Sequence, residues 1–384
     1  MSQARMSRRG WLKRAASAAA ISALDGCSAL PGGTERGFDC VVDASSVSAV
    51  DTPTPACASV AQALEHAANS DREPYRILVR PGHYRERLEI TRAGIDLIGT
   101  SRDSTVITFD AASGLRRADG TEWGTAGSAT VTVRAARFRA AHLTMANDFD
   151  YPVNFAKRST DATRLASPQA VAFMAAAGSD YAHFHDVALI GYQDTVFVDA
   201  GRSFFDRCRL AGHVDFIFGA GRAYFQACEV VSRPRVGVRP EGYVTAPSTL
   251  LRDPCGLAFR DCRFIPENDH VRDQQTYLGR PWHPGRTFAD GRYADPEAIG
   301  AVAVLRCWLD RHIARAGWTE MGGLARDGSR IMFKPEDARF FEFENHGPGA
   351  AANVGRRQLT AAAAASYTRV LVLSGWEPAP FDRQ

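Results

Sequence analysis

The sequence predicts an all-β fold, a single-stranded right-handed parallel β-helix with short terminal helices. Three observations predict it. A short unit recurs along the middle of the chain, and each unit alternates apolar and polar residues between Gly, Asp or Pro residues. The units, about 20 residues long, are too small to bury a core alone, so they must stack. A propeller is the alternative repeat architecture, but its blades need about 40 residues each.

The N-terminal segment, residues 1–26, is predicted to be an export signal. A basic stretch is followed by an apolar, Ala-rich run over residues 15–24, which is shorter than the roughly 20 residues of a membrane-spanning helix. Residues 7–13 resemble a twin-arginine signal. Residues 24–27 resemble a lipoprotein cleavage box, so Cys27 is a candidate lipid anchor.

Two segments follow the export signal. Residues 27–37 are predicted to be a linker, and residues 38–384 a single parallel β-helix domain. The chain is expected to be secreted, or to be held as an outer-membrane lipoprotein.

Charge argues against a nucleic-acid partner. The 384 residues carry a net charge of +3, but residues 1–26 hold five basic side chains and one acidic one, which leaves −1 for the rest. Nucleic-acid binding requires a basic surface. No protein partner is implied, and a monomer is expected.

Each repeat unit begins with an apolar residue, most often Phe. From position 184 to 205 the spacing is 21 residues, and from 205 to 225 it is 20; two longer gaps indicate insertions. The first residues of the units are Phe138, Phe184, Phe205, Phe225, Phe259 and Val304. Residues 57–68 have helical periodicity and are expected to cap the N-terminal end, and residues 360–373 are expected to begin as a short helix near the other end.

Two cysteines occupy the same position of consecutive units, namely Cys208 and Cys228. Stacked strands lie about 4.8 Å apart, within disulfide reach, so this pair is a disulfide candidate in an oxidising compartment. Burial as small apolar residues is the alternative. The pairing of the others stays open: Cys40, Cys57, Cys255, Cys262 and Cys307.

The repeat also stacks titratable residues. Ten residues after each repeat Phe the sequence reaches Asp194, Asp215 and then Arg235. Two carboxylates one coil apart repel, so one should retain its proton to a higher pH than the other. Such a pair supplies an acid together with a base or nucleophile. Alternatively, each Asp caps a turn and faces water.

Four segments carry a family resemblance. They are Gln169–Ala172, Gly191–Thr195, Val214–Gly219 and Leu278–Trp282. In this order they resemble the signature segments of the pectin methylesterases (pectinesterases), and residues 123–127, 147–150 and 291–296 resemble the bacterial, plant-pathogen branch. The resemblance implies a parallel β-helix whose partner is methylated polygalacturonate, and no cofactor.

The resemblance also implies catalytic roles. Asp215 matches the nucleophile, and Asp194 matches the general acid that later acts as a base. Gln193 matches an oxyanion donor, with Gln169 nearby, and Arg280 matches the guanidinium that holds the nucleophile. A charge-assisted contact with arginine would keep the nucleophile ionised.

Substrate contacts are implied as well. Trp282 matches a sugar-stacking aromatic residue, and Arg235 a residue that meets a galacturonate carboxylate. The remaining cleft-lining matches are Val214, Phe218, Thr125 and Met321. Two residues depart from the common pattern: Phe197 replaces a frequent Tyr, and His213 a frequent Thr.

The sequence lacks the motifs of several other enzyme classes. The chain has no Gly-x-Ser-x-Gly elbow, no His-Glu-x-x-His and no Walker loop. His183 and His185 share a strand face, but cross-strand packing is the commoner role, and no metal is predicted. The rival readings are an esterase or thioesterase acting on a non-pectin ester, a non-catalytic glycan-binding β-helix, and a β-helical lyase or glycosidase.

Overall fold

The fold is a stack of parallel coils that form a right-handed β-helix, which confirms the predicted architecture. The computed structural model describes residues 37–44 and 54–381. The predicted export signal, Cys27 and all but the last residue of the predicted linker therefore lie outside the described residues. No helix among the described residues is long and apolar enough to cross a membrane.

Three parallel sheets run the length of the stack. The first, in spatial order, contains β2 (Ala56–Cys57), β1 (Cys40–Val42), β3 (Tyr75–Val79), β6 (Ile95–Gly99), β9 (Arg139–Ala141), β12 (Ala182–His185), β15 (Arg202–Asp206), β18 (Arg222–Gln226), β21 (Leu257–Arg260), β26 (Ala301–Leu305) and β30 (Arg339–Phe343). The second contains β27 (Trp308–Leu309), β22 (Arg263–Pro266), β19 (Glu229–Ser232), β16 (Arg209–Gly212), β13 (Ala188–Ile190), β10 (Thr144–Asn147), β7 (Thr105–Phe109) and β4 (Gly82–Arg85). The third contains β23 (Thr276–Gly279), β20 (Gly242–Pro247), β17 (Val214–Gly219), β14 (Val196–Val198), β11 (Phe173–Ala175), β8 (Val131–Val133) and β5 (Leu88–Ile90).

Within residues 37–44 and 54–381, two antiparallel hairpins and five short helices flank the stack. The hairpins pair β24 (Gly285–Phe288) with β25 (Gly291–Ala294), and β28 (Met321–Leu324) with β29 (Arg330–Phe333). The helices are α1 (Val60–Ala68), α2 (Gly124–Gly127), α3 (Tyr151–Ala156), α4 (Ala361–Ala364) and α5 (Arg369–Val372). The two predicted terminal helices are confirmed as α1 and as the pair α4 and α5.

The repeat phenylalanines form the interior of the stack. Phe184, Phe205, Phe225 and Phe259 pair in register along the first sheet. Their rings stack face to face with centroids 4.5–4.7 Å apart. Each ring is fully buried, so every coil covers the apolar face of its neighbour, as the repeat requires.

The first repeat unit is shifted from its predicted position. Phe184 pairs with Ala140 rather than with Phe138, although Phe138 is also buried. A strand shifted by two residues keeps the same face inward. The alternation of the sequence alone therefore does not distinguish the two registers.

The predicted disulfide between Cys208 and Cys228 is not shown by the structure and stays a prediction. Every cysteine that the structure describes is a free thiol. The Cys228 thiol donates instead to the Phe205 carbonyl at 3.4 Å, and the Cys262 thiol accepts the Cys228 backbone N–H at 3.4 Å. The stacked thiols thus serve as hydrogen-bonding groups for the tight turns of the coils.

Each cysteine of this column directly follows a tight turn of its coil. The residue before each of four cysteines has a left-handed backbone conformation, with φ between 53° and 54°. These cysteines are Cys208, Cys228, Cys262 and Cys307. The column ends at Asn345, whose amide oxygen accepts the Cys307 N–H at 2.9 Å.

Candidate active site

The two aspartates lie on adjacent coils of the third sheet. Val196 pairs with Ile217, and Phe197 pairs with Phe218. Because Asp194 and Asp215 each precede these partners by two residues, they occupy equivalent positions on consecutive coils. This confirms the predicted stacking of the two carboxylates.

Both aspartates have backbone conformations that are uncommon for non-glycine residues. The φ angle is 63° at Asp194 and 49° at Asp215. Such conformations cost free energy and concentrate at functional sites. On the coil that carries Asp215, Gly212 permits the turn, because a Cβ there would lie 2.3 Å from the Cβ of Phe216.

Arg280 holds Asp215 through two parallel hydrogen bonds. Its Nε donates to Oδ1 at 2.8 Å, and its Nη2 donates to Oδ2 at 2.6 Å. The guanidinium also lies over the Tyr243 ring, 3.8 Å from its centroid. This bidentate geometry fixes the orientation of the Asp215 carboxyl group.

A close approach of two strands delivers Arg280. Gly279 lies on β23 so near β20 that a Cβ there would come within 2.1 Å of the Thr245 hydroxyl. The Arg280 backbone N–H then donates to the Thr245 carbonyl at 3.0 Å. The glycine before the arginine therefore has a steric role in the Leu-Gly-Arg-Pro-Trp segment.

Asp194 differs from Asp215 in its electrostatics. Burial, and secondarily the charge of Asp215, raise the pKa of Asp194 well above its usual value, while Arg280 opposes the shift. No side chain among the described residues donates a hydrogen bond to Asp194 that would compensate its charge. The two carboxyl groups therefore differ in their surroundings: burial disfavours the charged form of Asp194, whereas an arginine holds Asp215.

Two amide side chains border the aspartates. The backbones of Gln169 and Gln193 lie on adjacent coils, since the Ala170 N–H donates to the Gln193 carbonyl at 3.1 Å. The side-chain oxygen of Gln169 is buried and has no hydrogen-bond partner among the described residues. A buried amide without a protein partner is available to a ligand.

An aromatic wall flanks the pair. The rings of Phe197 and Phe218 stack with centroids 4.2 Å apart, and the half-buried Trp282 meets Phe218 edge to face at 5.7 Å. Val214, also predicted to line the cleft, accepts the Asp194 N–H at its carbonyl. Phe197, Phe218 and Trp282 belong to one apolar cluster on the coils that carry the carboxylates.

Two predicted cleft residues lie on elements outside the parallel stack. Thr125 is on α2, and Met321 is on β28 opposite Phe333. The Phe333 ring stacks on His283 with centroids 3.7 Å apart. Met321 thus belongs to a hairpin that packs next to the segment of Trp282.

Arg235 is not in the column that the spacing predicted. The register of β17 with β20 pairs Val214 with Tyr243 and shifts before Ile217, so Arg235 lies in the connection that precedes β20. An insertion between β19 and β20 accounts for the difference. The Arg235 Nε donates to the Tyr151 hydroxyl at 2.8 Å.

Sequence reasoning missed three side chains next to the site. Tyr151 packs against His213 with ring centroids 4.3 Å apart, Tyr243 supports Arg280, and Arg233 donates to the Gly191 carbonyl at 2.8 Å. Tyr151 directly follows the Asn147–Asp150 segment that resembles the family. No local pattern distinguishes Arg233 from other basic residues.

His213 and Phe197, the departures from the family pattern, are both buried. The His213 Nδ1 accepts the Val214 N–H at 2.8 Å. Burial, followed by the charges of Arg235 and Arg233, lowers the pKa of His213 well below its usual value. His213 is therefore a neutral packing residue beside the site.

The paired histidines on β12 pack across strands, as expected. The His183 ring lies 5.0 Å from the Phe204 ring, and the His185 Nδ1 contacts Asp206 at 2.7 Å.

Comparisons with known proteins agree with this geometry. The family described as "Pectinesterase" matches residues 46–369. Pectinesterase A of Dickeya chrysanthemi is 46% identical over 308 residues, which cover 79% of this chain and 84% of the relative. The pectin methylesterase structure from Erwinia chrysanthemi superposes with a TM-score of 0.84 at 46% identity, covering 89% of this chain and 98% of the other. A pectin methylesterase in complex with a hexasaccharide gives a TM-score of 0.84 at 46% identity, with 89% and 99% covered. The chain therefore belongs to the pectinesterase family.

Proposed function

We propose that the chain hydrolyses the methyl esters of polygalacturonate, with Asp215 as nucleophile and Asp194 as general acid and base. The observation that carries this proposal is the contrast between the two aspartates: Arg280 fixes Asp215 through two hydrogen bonds, whereas burial raises the pKa of Asp194 well above its usual value. An ester hydrolase with a covalent step needs both groups at once.

In the first step, Asp215 attacks the carbonyl carbon of the methyl ester, and negative charge develops on the carbonyl oxygen. The side-chain NH₂ groups of Gln193 and Gln169, which lie on adjacent coils at the pair, would donate to this oxyanion. Asp194 gives its proton to the departing methoxy oxygen, so methanol leaves and an anhydride joins the substrate acyl group to Asp215.

In the second step, the roles reverse. Asp194, now ionised, takes a proton from a water molecule, whose oxygen attacks the substrate carbonyl carbon. The anhydride bond breaks, and Asp215 returns as the carboxylate paired with Arg280. The products are one methanol and one galacturonate carboxylic acid, and Asp194 again carries its proton.

The surroundings of the pair favour a polyuronide substrate. The partly exposed Trp282 offers an apolar ring on which a sugar can stack, with the buried Phe218 packed behind it, and Arg235 offers a cation to a galacturonate carboxylate. A homologous pectin methylesterase is known in complex with a hexasaccharide. These features support pectin over an unrelated ester.

The test is methanol release from highly methylated pectin by the wild-type chain and by Asp215→Asn. The variant should lose at least about 10³-fold in rate, since the amide cannot act as the nucleophile. The matched control is Asp199→Asn, which changes an exposed aspartate five residues after Asp194 and should retain activity.

Other outcomes would overturn the proposal. Methanol release by Asp215→Asn at the wild-type rate would remove the nucleophile assignment. Absence of methanol from the folded wild type over pH 5–9 would remove pectin as the substrate, and cleavage of the chain without methanol would indicate a lyase or glycosidase.

Export is a separate proposal, which rests on residues 1–27 of the sequence. Replacing Arg8 and Arg9 by lysine should retain the protein in the cytoplasm, as measured by cell fractionation. Cys27→Ser should convert a membrane-associated product to a soluble exported one if Cys27 carries the lipid. Normal export of the double lysine variant would contradict the twin-arginine signal.

A further inference from the structure

The N-terminal cap brings together two thiols and an imidazole that the esterase site does not use. Cys40 lies on β1, Cys57 ends β2, and His66 lies in the last turn of α1. The two Sγ atoms are 3.1 Å apart, and the Cys57 Sγ is 3.7 Å from the His66 Nδ1. All three ligand atoms lie within 4.8 Å of one another.

We propose that Cys40, Cys57 and His66 bind a single zinc ion, which joins helix α1 to the first coil of the stack. The donor set of two thiolates and one imidazole is one that zinc prefers. This site is independent of the esterase chemistry described above.

The distances fit a tetrahedral zinc site with small movements. With zinc bonds of about 2.3 Å to sulfur and about 2.0 Å to nitrogen, tetrahedral ligands have S···S near roughly 3.8 Å and S···N near roughly 3.5 Å. The observed S···N distance of 3.7 Å is already close to this value, and the observed S···S distance of 3.1 Å must lengthen modestly. A disulfide would require the sulfurs to approach to about 2.05 Å, which is a larger movement.

The strand register also disfavours a disulfide. Cys57 pairs with Val42, so Cys40 lies two residues from the position opposite Cys57. With strands about 4.8 Å apart and a rise of about 3.3 Å per residue, this diagonal separates the Cα atoms by roughly 8 Å. A disulfide seldom bridges Cα atoms more than about 7 Å apart, whereas a metal ion with three ligands spans the greater distance.

The electrostatic environment is consistent with a cation. The C-terminal end of a helix favours a cation, and His66 lies in the last turn of α1. His66 is exposed, which gives the ion a route of entry and gives water a route to a fourth coordination position.

The test uses the full chain, purified with reductant and without chelator. Zn²⁺ is added to the metal-free protein, and the bound ion is measured by elemental analysis and by thermal unfolding. Co²⁺ replaces zinc as a spectroscopic probe, because thiolate ligands give it a charge-transfer absorption. The variants are His66→Asn and, as matched control, His270→Asn, which changes another exposed histidine.

The wild type and the His270→Asn variant should bind one Zn²⁺ per chain and melt at a higher temperature with zinc than without it. His66→Asn should lower the affinity about tenfold or more, since it removes one of three protein ligands, and should retain wild-type esterase activity. Cys57→Ser should abolish the cobalt–thiolate absorption.

Three results would overturn the proposal. The first is equal zinc affinity in His66→Asn and the wild type. The second is absence of binding by the folded, reduced wild type. The third is a Cys40–Cys57 disulfide in the protein as isolated, found by peptide mapping without reduction. The esterase assay separates these results from failure of the proposed function, because His66 does not touch the active site.

Discussion

At the scale of the residue, the protonation of Asp194 links catalysis to stability. Burial and the neighbouring charge of Asp215 raise its pKa, while an unfolded chain ionises aspartate near about 3.9. Between these two values the folded state binds more protons than the unfolded state. The free energy of unfolding therefore falls as the pH rises through this window.

The isosteric substitution Asp194→Asn tests this linkage. The amide cannot ionise, so the variant should be inactive yet melt at a higher temperature than the wild type at neutral pH. The difference in melting temperature should shrink as the pH falls towards about 4, where both states of the wild type become protonated. The measurement is thermal unfolding of both proteins from pH 4 to pH 8.

The matched control is Asp103→Asn, whose side chain is exposed and lies away from the catalytic pair. A gain in melting temperature of the same size in that variant would point to net charge rather than to Asp194. A lower melting temperature of Asp194→Asn at pH 7 would contradict the buried, protonated state.

At the scale of the element, Arg233 connects the catalytic segment to the neighbouring strand. Arg233 directly follows β19 and is almost fully buried. It donates to the Gly191 carbonyl, lies over the Tyr192 ring at 3.9 Å and pairs with Glu267 at 3.1 Å. The segment that it supports continues into Gln193 and Asp194, so Arg233 is a positioning residue.

Replacing Arg233 by methionine should lower kcat about tenfold or more, because the oxyanion donor and the acid lose a fixed backbone, while KM changes less. The measurement is the initial rate of methanol release over a range of pectin concentrations. Arg209→Met is the control, since Arg209 pairs with Glu229 on the second sheet at 2.7 Å.

That control should keep the wild-type kcat. A rise in KM at constant kcat in Arg233→Met would assign Arg233 to substrate binding instead. A normal kcat with a lowered melting temperature would leave it only a structural role.

The repeat spacing predicts residue positions correctly where the coils have no insertions. The spacing of 21 residues placed Asp194 and Asp215 correctly, because both lie within uninterrupted coils that pair in register. The same count failed for Arg235, since the connection before β20 contains extra residues. It also failed by two residues at Phe138, where inward alternation fits either register equally well.

At the scale of the whole molecule, the stack of phenylalanine rings supports the coils that carry the site. Phe225 packs between Phe205 at 4.7 Å and Phe259 at 4.5 Å. In a stack of coils, each unit is stabilised mainly by its two neighbours. A cavity in a central coil therefore weakens the interfaces on both sides.

Phe225→Ala should destabilise the fold by about 3–5 kcal/mol, the usual cost of removing a buried phenylalanine. The loss of activity on heating should follow global unfolding, since Asp215 lies on the preceding coil. Denaturant unfolding and residual methanol release measure the two quantities.

Phe288→Ala is the comparison, because Phe288 is only partly buried on a peripheral hairpin, where it stacks on Tyr293. It should cost clearly less than Phe225→Ala. Equal losses from the two substitutions would contradict a core that is continuous through the stack.

The sequence by itself determined the repeating coil, the inward phenylalanine column and the pairing of the two aspartates. Each of these depends on short-range periodicity, and in-register parallel stacking converts a spacing along the chain directly into a neighbour in space. The resemblance of four segments implied the roles of Gln193 and Arg280 without showing their geometry.

Only the tertiary structure decided the contacts between residues that are separated in the sequence by connections of irregular length. The hydrogen bonds from Arg280 to Asp215 span 65 residues, and the bond from Arg235 to Tyr151 spans 84. The approach of His66 to Cys57 is likewise visible only in the structure. These contacts depend on the paths of connections and on side-chain orientation, which a periodic pattern does not encode.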